Sequence, residues 1–243
     1  VFNYKTELTK PNPNDADLHN FLELLKPIAK MRVYANANDA TEAKIALQFG
    51  AEGIGLARTE YMFLEDKAEG ENRALTIQSW VLAKDNPLTK SAASAALDKL
   101  ERMQQKDFLE MYNVMKDKPI IIRLLDYPLH ELLSKSDESL VELSGLTRMD
   151  GDELMQKING YREKNPMLGH RSVRLGITDP EVYRMQVKAI LSAGKEYNNN
   201  ADSNYVTPHI EIPLVSMQSE ILDIVKIVEG EANVFDYVRG GSS

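Results

Sequence analysis

The stretch GAEGIGLARTEYMF, Gly50–Phe63, places glycines at 50, 53 and 55 directly ahead of Arg58. Two physical readings compete for it. In one, the glycines form a loop whose backbone N–H groups cradle a phosphate. In the other, they thin a buried strand that delivers an arginine to its end. The order is G-x-x-G-x-G, which is not the dinucleotide fingerprint, and no G-x-x-x-x-G-K-[ST] phosphate loop occurs in the chain. The strand reading is the better one: Gly50 closes a helix, while Gly53 and Gly55 let neighbouring backbone come close.

The residues before this stretch agree. NDATEAKIALQFG, 38–50, is a helix with Asp39 as N-cap, Glu42 three residues on as a capping box, and Gly50 at C′. MRVYAN, 31–36, reads as a short strand ahead of it. Strand, helix and strand in sequence form a βα unit that feeds a parallel strand.

The pattern continues downstream. From Asn86 to Lys116, Leu97, Leu100, Met103, Phe108, Met111, Tyr112 and Met115 recur at helical spacing. DKPIIIRLLD, 117–126, is the unbroken apolar run of a strand covered on both faces. Residues 134–164 are polar and helix-prone with little periodicity, which suits a surface excursion. LGHRSVRLGI, 168–177, reads as a fourth strand. In TDPEVYRMQVKAILSAG, 178–194, Asp179 caps a helix, Pro180 takes N1 and Gly194 follows its end. VTPHIEIPLV, 206–215, reads as a fifth strand, followed by a helix to Gly230.

The expected domains are a polar linker with a short helix over 1–30, an α/β body over 31–230, and a flexible end over 231–243. Repeated βα units imply either an open doubly wound sheet or part of a (β/α)8 barrel.

Composition narrows the functions. With 243 residues, 43% hydrophobic and 27% charged, the chain is long enough to bury a sizeable core. A net charge of −8 argues against nucleic acid or an anionic membrane as partner. An anionic ligand must therefore meet a local cluster of arginines. The absence of cysteine excludes disulfides, thiolate metal sites and cysteine nucleophiles within this chain. No apolar run reaches the length of a membrane span, so a cytoplasmic location is expected. His19, His130, His170 and His209 form no ligand-spaced pair, which makes a zinc site an unfavoured reading.

Four arginines stand at or just past the C-terminal ends of the expected strands: Arg58, Arg123, Arg171 and Arg174. Parallel α/β architectures bind ligands at those ends, and the planar guanidinium fork suits phosphate and carboxylate. Arg123 is the most telling because it follows three isoleucines. A buried guanidinium needs an anion beside it, either a ligand or a structural partner such as Asp126 or Glu60.

Three segments go beyond general pattern: GAEGIGLARTEYMF, IIIRLLDYPLHELL and NPMLGHRSVRLGITDPEVYRMQVKAI. Together they resemble the phosphoenolpyruvate (PEP)/pyruvate-binding barrel of the pyruvate, phosphate dikinase family. More distantly they resemble PEP synthase and enzyme I of the sugar phosphotransferase system. RVYANANDATEAKIALQFG and PHIEIPLV fit the flanking strands in the same order. Ala57 stands where the family usually has Cys, and Tyr61 where it has His.

The resemblance implies a (β/α)8 TIM-barrel fold, here truncated to about the first five of eight strands. It implies a phosphotransferase moving a phosphoryl group between PEP or pyruvate and a phosphohistidine on another domain, with Arg58, Arg123 and Arg171 catalytic and substrate-binding. Asp126 orients an arginine or hydrogen-bonds within the site. Mg2+ is the family's cofactor, its ligands expected outside this chain, as are the proton-donor cysteine and the histidine and nucleotide domains. Two consequences are expected: an isolated chain with little turnover, and self-association through unpaired barrel edges or completion by other polypeptide. A non-catalytic anion-binding or interaction module on the same partial barrel is the alternative.

Overall fold

The computed structural model describes residues 11–133, 136–201 and 205–235. In chain order these form α1 (Ala16–Leu25), β1 (Tyr34–Asn36), α2 (Ala40–Gln48), β2 (Gly53–Arg58), α3 (Tyr61–Leu64), α4 (Arg73–Ala83) and α5 (Lys90–Met115). There follow β3 (Ile120–Arg123), a 3-10 turn (Leu129–Glu131), α6 (Asp137–Thr147), α7 (Gly151–Gly160), α8 (Ser172–Thr178), α9 (Pro180–Asn200), β4 (His209–Glu211) and α10 (Gln218–Val234).

The four strands form one parallel sheet in the order β1-β2-β3-β4. Each strand lies beside its predecessor with no reversal, so the fold is α/β and β1 and β4 are its edges. Ile54, Ala57, Ile120 and Ile122 face the helices and are buried to 3% exposure or less. The helical layer centres on α5, which packs along α9 and against α4. Leu100, Phe108, Met111 and Met115 of α5 and Tyr183, Val187 and Ile190 of α9 fill the space between them.

The opening stretch behaves as the strand reading expects. Gly50 adopts φ 86°, and the N–H groups of Gly50 and Ala51 donate to the carbonyls of Leu47 and Ala46 at 3.0 Å each. That is a Schellman closure of α2. A Cβ on Gly53 would lie 2.9 Å from Pro119 Cγ and 3.0 Å from Tyr34 Cδ1, and one on Gly55 would lie 3.1 Å from Tyr34 Cβ. The two glycines therefore admit β1 and the entry to β3 at close range. At the start of α2, Asp39 Oδ1 accepts from Glu42 N–H at 2.8 Å, whereas the Glu42 carboxylate reaches Asn38 N–H at 2.7 Å, one residue before the cap.

Several expectations need correction. Residues 168–177 are not a strand: Ser172–Thr178 are helical, and 168–171 form the loop that enters the helix. The reason lies in the local pattern. Val173, Leu175 and Gly176 are buried in a short helix, and the alternation of Val173 and Leu175 also suits a short strand. The described residues thus hold four strands rather than five. α9 runs through Gly194 to Asn200, because Gly194 sits buried inside the helix instead of ending it. Asp179 precedes α9 but caps no N–H; its carboxylate pairs with Lys84 at 2.7 Å.

Residues 134–164 are less superficial than their polarity suggests. α6 buries Leu143, and α7 buries Leu154 and Ile158. α4 escapes sequence reading because most of its side chains are buried all round, Arg73 included, which erases the amphipathic stripe. The expected C-terminal end starts too early, since 231–234 belong to α10. The stretch 236–243 and the first ten residues of the expected linker lie outside the described residues, and α1 occupies part of the remainder. Among the described residues no helix is long and apolar enough to cross a membrane.

Candidate functional site

The site lies at the C-terminal edge of the sheet. Arg58 ends β2 and Arg123 ends β3, and the two are in-register neighbours; Glu211 of β4 is the next neighbour of Arg123. In-register residues of parallel strands share a face, here the one opposite the helices. The sheet thus presents a row of two arginines and a carboxylate on its open face.

Arg123 is clamped from both sides. Its Nη2 donates to Glu60 Oε1 at 3.1 Å, and its Nη1 lies 3.2 Å from Asp126 Oδ2. Glu60, only 1% exposed, also accepts the Asp126 backbone N–H at 2.8 Å through the same oxygen. Arg123 Nε and Glu60 Oε2 are buried with no hydrogen-bond partner among the described residues. The strand end is fixed besides by Thr59 Oγ1, which donates to the Arg123 carbonyl at 2.9 Å.

Asp126 joins this pair to the third arginine. Arg171 Nε donates to Asp126 Oδ1 at 3.0 Å, its Nη2 lies 2.9 Å from the same oxygen, and Nη2 also donates to the Asp126 carbonyl at 2.6 Å. Ser172 Oγ hydrogen-bonds Asp126 Oδ1 as well. Ser172 has φ 57°, a left-handed backbone that a serine adopts only when its surroundings hold it there. Its bond to Asp126 is such a restraint, and it aims Arg171 back at the strand ends.

Behind the arginines the backbone of Leu125 is tied to α9. Gln186 Oε1 accepts its N–H at 2.8 Å, and Tyr183 donates its hydroxyl to its carbonyl at 3.0 Å. Burial, then the Asp126 and Glu60 carboxylates, push the Tyr183 phenol well above its ordinary pKa, so it stays a neutral donor.

Arg58 differs from the other two. Its backbone N–H donates to Asn38 Oδ1 at 3.0 Å, but its half-buried guanidinium has no hydrogen-bond or ion-pair partner among the described residues. Arg174, also at an expected strand end, instead braces the entering loop by donating to the carbonyls of Leu168 and Gly169 at 2.9 Å each. His170 sits in the same loop: its ring nitrogen Nε2 is 2.6 Å from Thr178 Oγ1 and its backbone N–H donates to Glu163 Oε1 at 2.6 Å. His130 Nδ1 is buried without a partner among the described residues.

The structure therefore brings together Arg58, Arg123, Asp126 and Arg171 and leaves Arg174 outside. Sequence reasoning presents Glu60 only as a possible structural partner, and it misses Thr59, Ser172, Tyr183 and Gln186. Glu60 and Thr59 lie within the opening stretch, immediately after Arg58, which is the signal that could have found them.

A family model described as the PEP-binding domain of PEP-utilising enzymes matches residues 13–239. The chain belongs to the PEP-utilising enzymes. Among its curated relatives, a pyruvate, phosphate dikinase of Rhizobium meliloti is 41% identical over 220 residues, covering 87% of this chain and 23% of the relative. The chloroplastic pyruvate, phosphate dikinase of Flaveria pringlei is 38% identical over 232 residues, covering 94% and 23%. That of Treponema pallidum is 36% identical over 238 residues, covering 93% and 25%. The chain spans about a quarter of the length of these PEP-utilising relatives.

Proposed function

We propose that this chain is the PEP-binding segment of a pyruvate, phosphate dikinase-type phosphotransferase, built on part of a (β/α)8 barrel. The observation that carries the reading is the placement of Arg58 and Arg123 side by side at the strand ends, with Arg171 folded onto them through Asp126. The consecutive parallel strand order is also that of an arc of a barrel.

Phosphoryl transfer asks a protein mainly for positioning and charge neutralisation. In this reading Arg58, whose guanidinium has no partner among the described residues, binds the phosphoryl oxygens directly. Arg123 offers its unpartnered Nε while Glu60 and Asp126 hold its plane fixed. Arg171 closes over the developing charge, its direction set by Asp126 and Ser172. The phosphoryl acceptor or donor is a phosphohistidine on another domain of the parent protein, and the cytoplasm is the proposed compartment.

Among the described residues no three acidic or histidine side chains converge to hold a metal. In this reading the ligands of the family's Mg2+ come from other parts of the parent protein. The ion-pair network favours one competing reading, a non-catalytic anion-binding or interaction module, because Glu60 and Asp126 already balance Arg123 and Arg171.

Calorimetric titration of the chain with PEP separates the two. Binding that Arg58→Ala weakens at least tenfold and Arg123→Ala abolishes supports the substrate site. No binding by the folded wild-type chain supports a purely structural role.

A further inference from the structure

A strand that presents a ligand-binding side chain at its end has to hold its last residue where backbone pairing runs out. Between β1 and β2 the Ala37 N–H donates to the Leu56 carbonyl at 3.2 Å. The next N–H of β2 on that side belongs to Arg58. By then the chain beyond β1 has turned toward α2, which begins at Ala40. A side chain meets the Arg58 N–H in place of a strand: Asn38 Oδ1 accepts it at 3.0 Å. The Asn38 amide thus adds one rung to the parallel ladder. It adds that rung at the arginine whose guanidinium has no partner among the described residues.

The amide can point only one way. Its Nδ2 donates to Glu42 Oε2 at 3.1 Å, and the Asn38 backbone N–H donates to the same oxygen at 2.7 Å. An ionised carboxylate only accepts and a backbone N–H only donates. Turning the amide over would set its oxygen against the carboxylate and its NH2 against the Arg58 N–H. Glu42 is itself placed by the first turn of α2, where its N–H donates to Asp39 Oδ1 at 2.8 Å. The displaced capping box now has a reason. A carboxylate at this position ordinarily returns to the N–H of the cap residue, and here it goes one residue further back, to Asn38.

We propose that Asn38 is a positioning residue for Arg58, locked in its orientation by Glu42. The ligand in this inference rests on the PEP reading; the relay from α2 through Glu42 and Asn38 to Arg58 does not. Arg123 and Arg171 are held by carboxylates on their guanidinium groups. A carboxylate on Arg58 would compete with the phosphoryl oxygens for the same N–H groups. Anchoring the backbone fixes the base of the side chain and leaves its whole fork for the ligand. Placement matters at this level, since a shift of about 1 Å in a positioning group can cost about a hundredfold in rate.

Two measurements on the 243-residue chain test it, amide hydrogen exchange read by NMR and calorimetric titration with PEP. In the wild type the Arg58 amide should exchange slowly. Asn38→Ala should speed its exchange by about tenfold or more. The Ile54 amide of the same strand, bonded to the Pro119 carbonyl at 2.9 Å, should stay protected. PEP affinity should fall about tenfold in this variant, which changes no charge. Glu42→Ala frees the amide to turn and should speed Arg58 exchange by less. The double variant should exchange no faster than Asn38→Ala, because Glu42 acts on Arg58 through Asn38.

An Asn38→Ala chain that is less stable but keeps its Arg58 protection, or its PEP affinity where Arg58→Ala loses it, overturns the proposal. So does fast exchange at Ile54 as well as Arg58, which marks a loosened strand, and so do additive effects in the double variant. A wild type that binds no PEP removes the PEP reading alone, and exchange at Arg58 then upholds or discards the anchor.

Discussion

Asp126 holds Arg171 through three contacts of 3.0 Å or less, two to one carboxylate oxygen and one to the backbone carbonyl. The other carboxylate oxygen lies 3.2 Å from Arg123 Nη1. One small side chain thus spans two cations, Arg123 three residues before it and Arg171 45 residues after it. Removing it leaves two guanidinium groups facing each other with half their balance gone. Asp126→Ala should destabilise the fold by about 3 kcal/mol, read from urea unfolding. It should also cost more PEP affinity than Arg174→Ala, whose partners are loop carbonyls.

Glu60 works through a single oxygen, Oε1, which serves both Arg123 and the Asp126 N–H. Glu60→Gln keeps a carbonyl oxygen that can occupy the same place, whereas Glu60→Ala leaves Arg123 half-paired. The alanine variant should lose about 3 kcal/mol and the glutamine variant clearly less. Equal losses would show that the charge, and not the oxygen's position, matters.

Gln104 is fully buried on α5, and neither its Oε1 nor its Nε2 has a hydrogen-bond partner among the described residues. Burying an unsatisfied amide is costly, and a thioether of similar shape carries no such cost. Gln104→Met should raise stability by about 1 kcal/mol, a Tm increase of about 2–4 °C in a calorimetric scan. A lower Tm would mean that the amide is satisfied in solution.

Gly53→Ala would drive a methyl against Pro119 and Tyr34, so a loss of about 1–3 kcal/mol is expected. PEP affinity of the folded variant should be unchanged, since Arg58 stands at the other end of the strand. A phosphate-cradling loop would give the opposite pattern, with affinity lost and stability kept.

Glu71 provides a pH handle away from the site. Its hydrogen bond to the fully buried Arg73, opposed by burial, lowers its pKa from 4.5 to about 2. A carboxyl lowered by folding contributes stability above its unfolded pKa and loses it as pH falls through the folded value. The contribution of Glu71 should therefore be full above about pH 5 and fade toward pH 2. Glu71→Gln should flatten this part of the stability curve, measured by denaturant titration at stepped pH.

The sequence makes most of the βα rhythm legible because its signals are local. The Asp39 cap, the Gly50 closure, the Ile120–Ile122 run and the heptad-like spacing in α5 each act over a few residues. What escapes is decided at a distance. The 168–177 segment is a loop and a helix because Asp126 anchors Arg171 and Ser172, and no local pattern announces that anchor. α4 escapes because it is covered on every side, with Arg73 and Asp107 balancing each other in the core. The arginines of the site are readable as charges at the ends of apolar runs. Their support is not, since Glu60, Tyr183 and Gln186 acquire roles only once β2, β3 and α9 are side by side.

The unbroken strand order has a consequence for how the protein is made. Each strand pairs with the one synthesised before it, so a chain emerging from the ribosome can extend its sheet without waiting for distant sequence. The cations of the site follow the same schedule. Glu60 is already in place when Arg123 emerges, and Asp126 when Arg171 does. At each step one counter-charge is already made when the guanidinium emerges, and Asp126 follows Arg123 by only three residues.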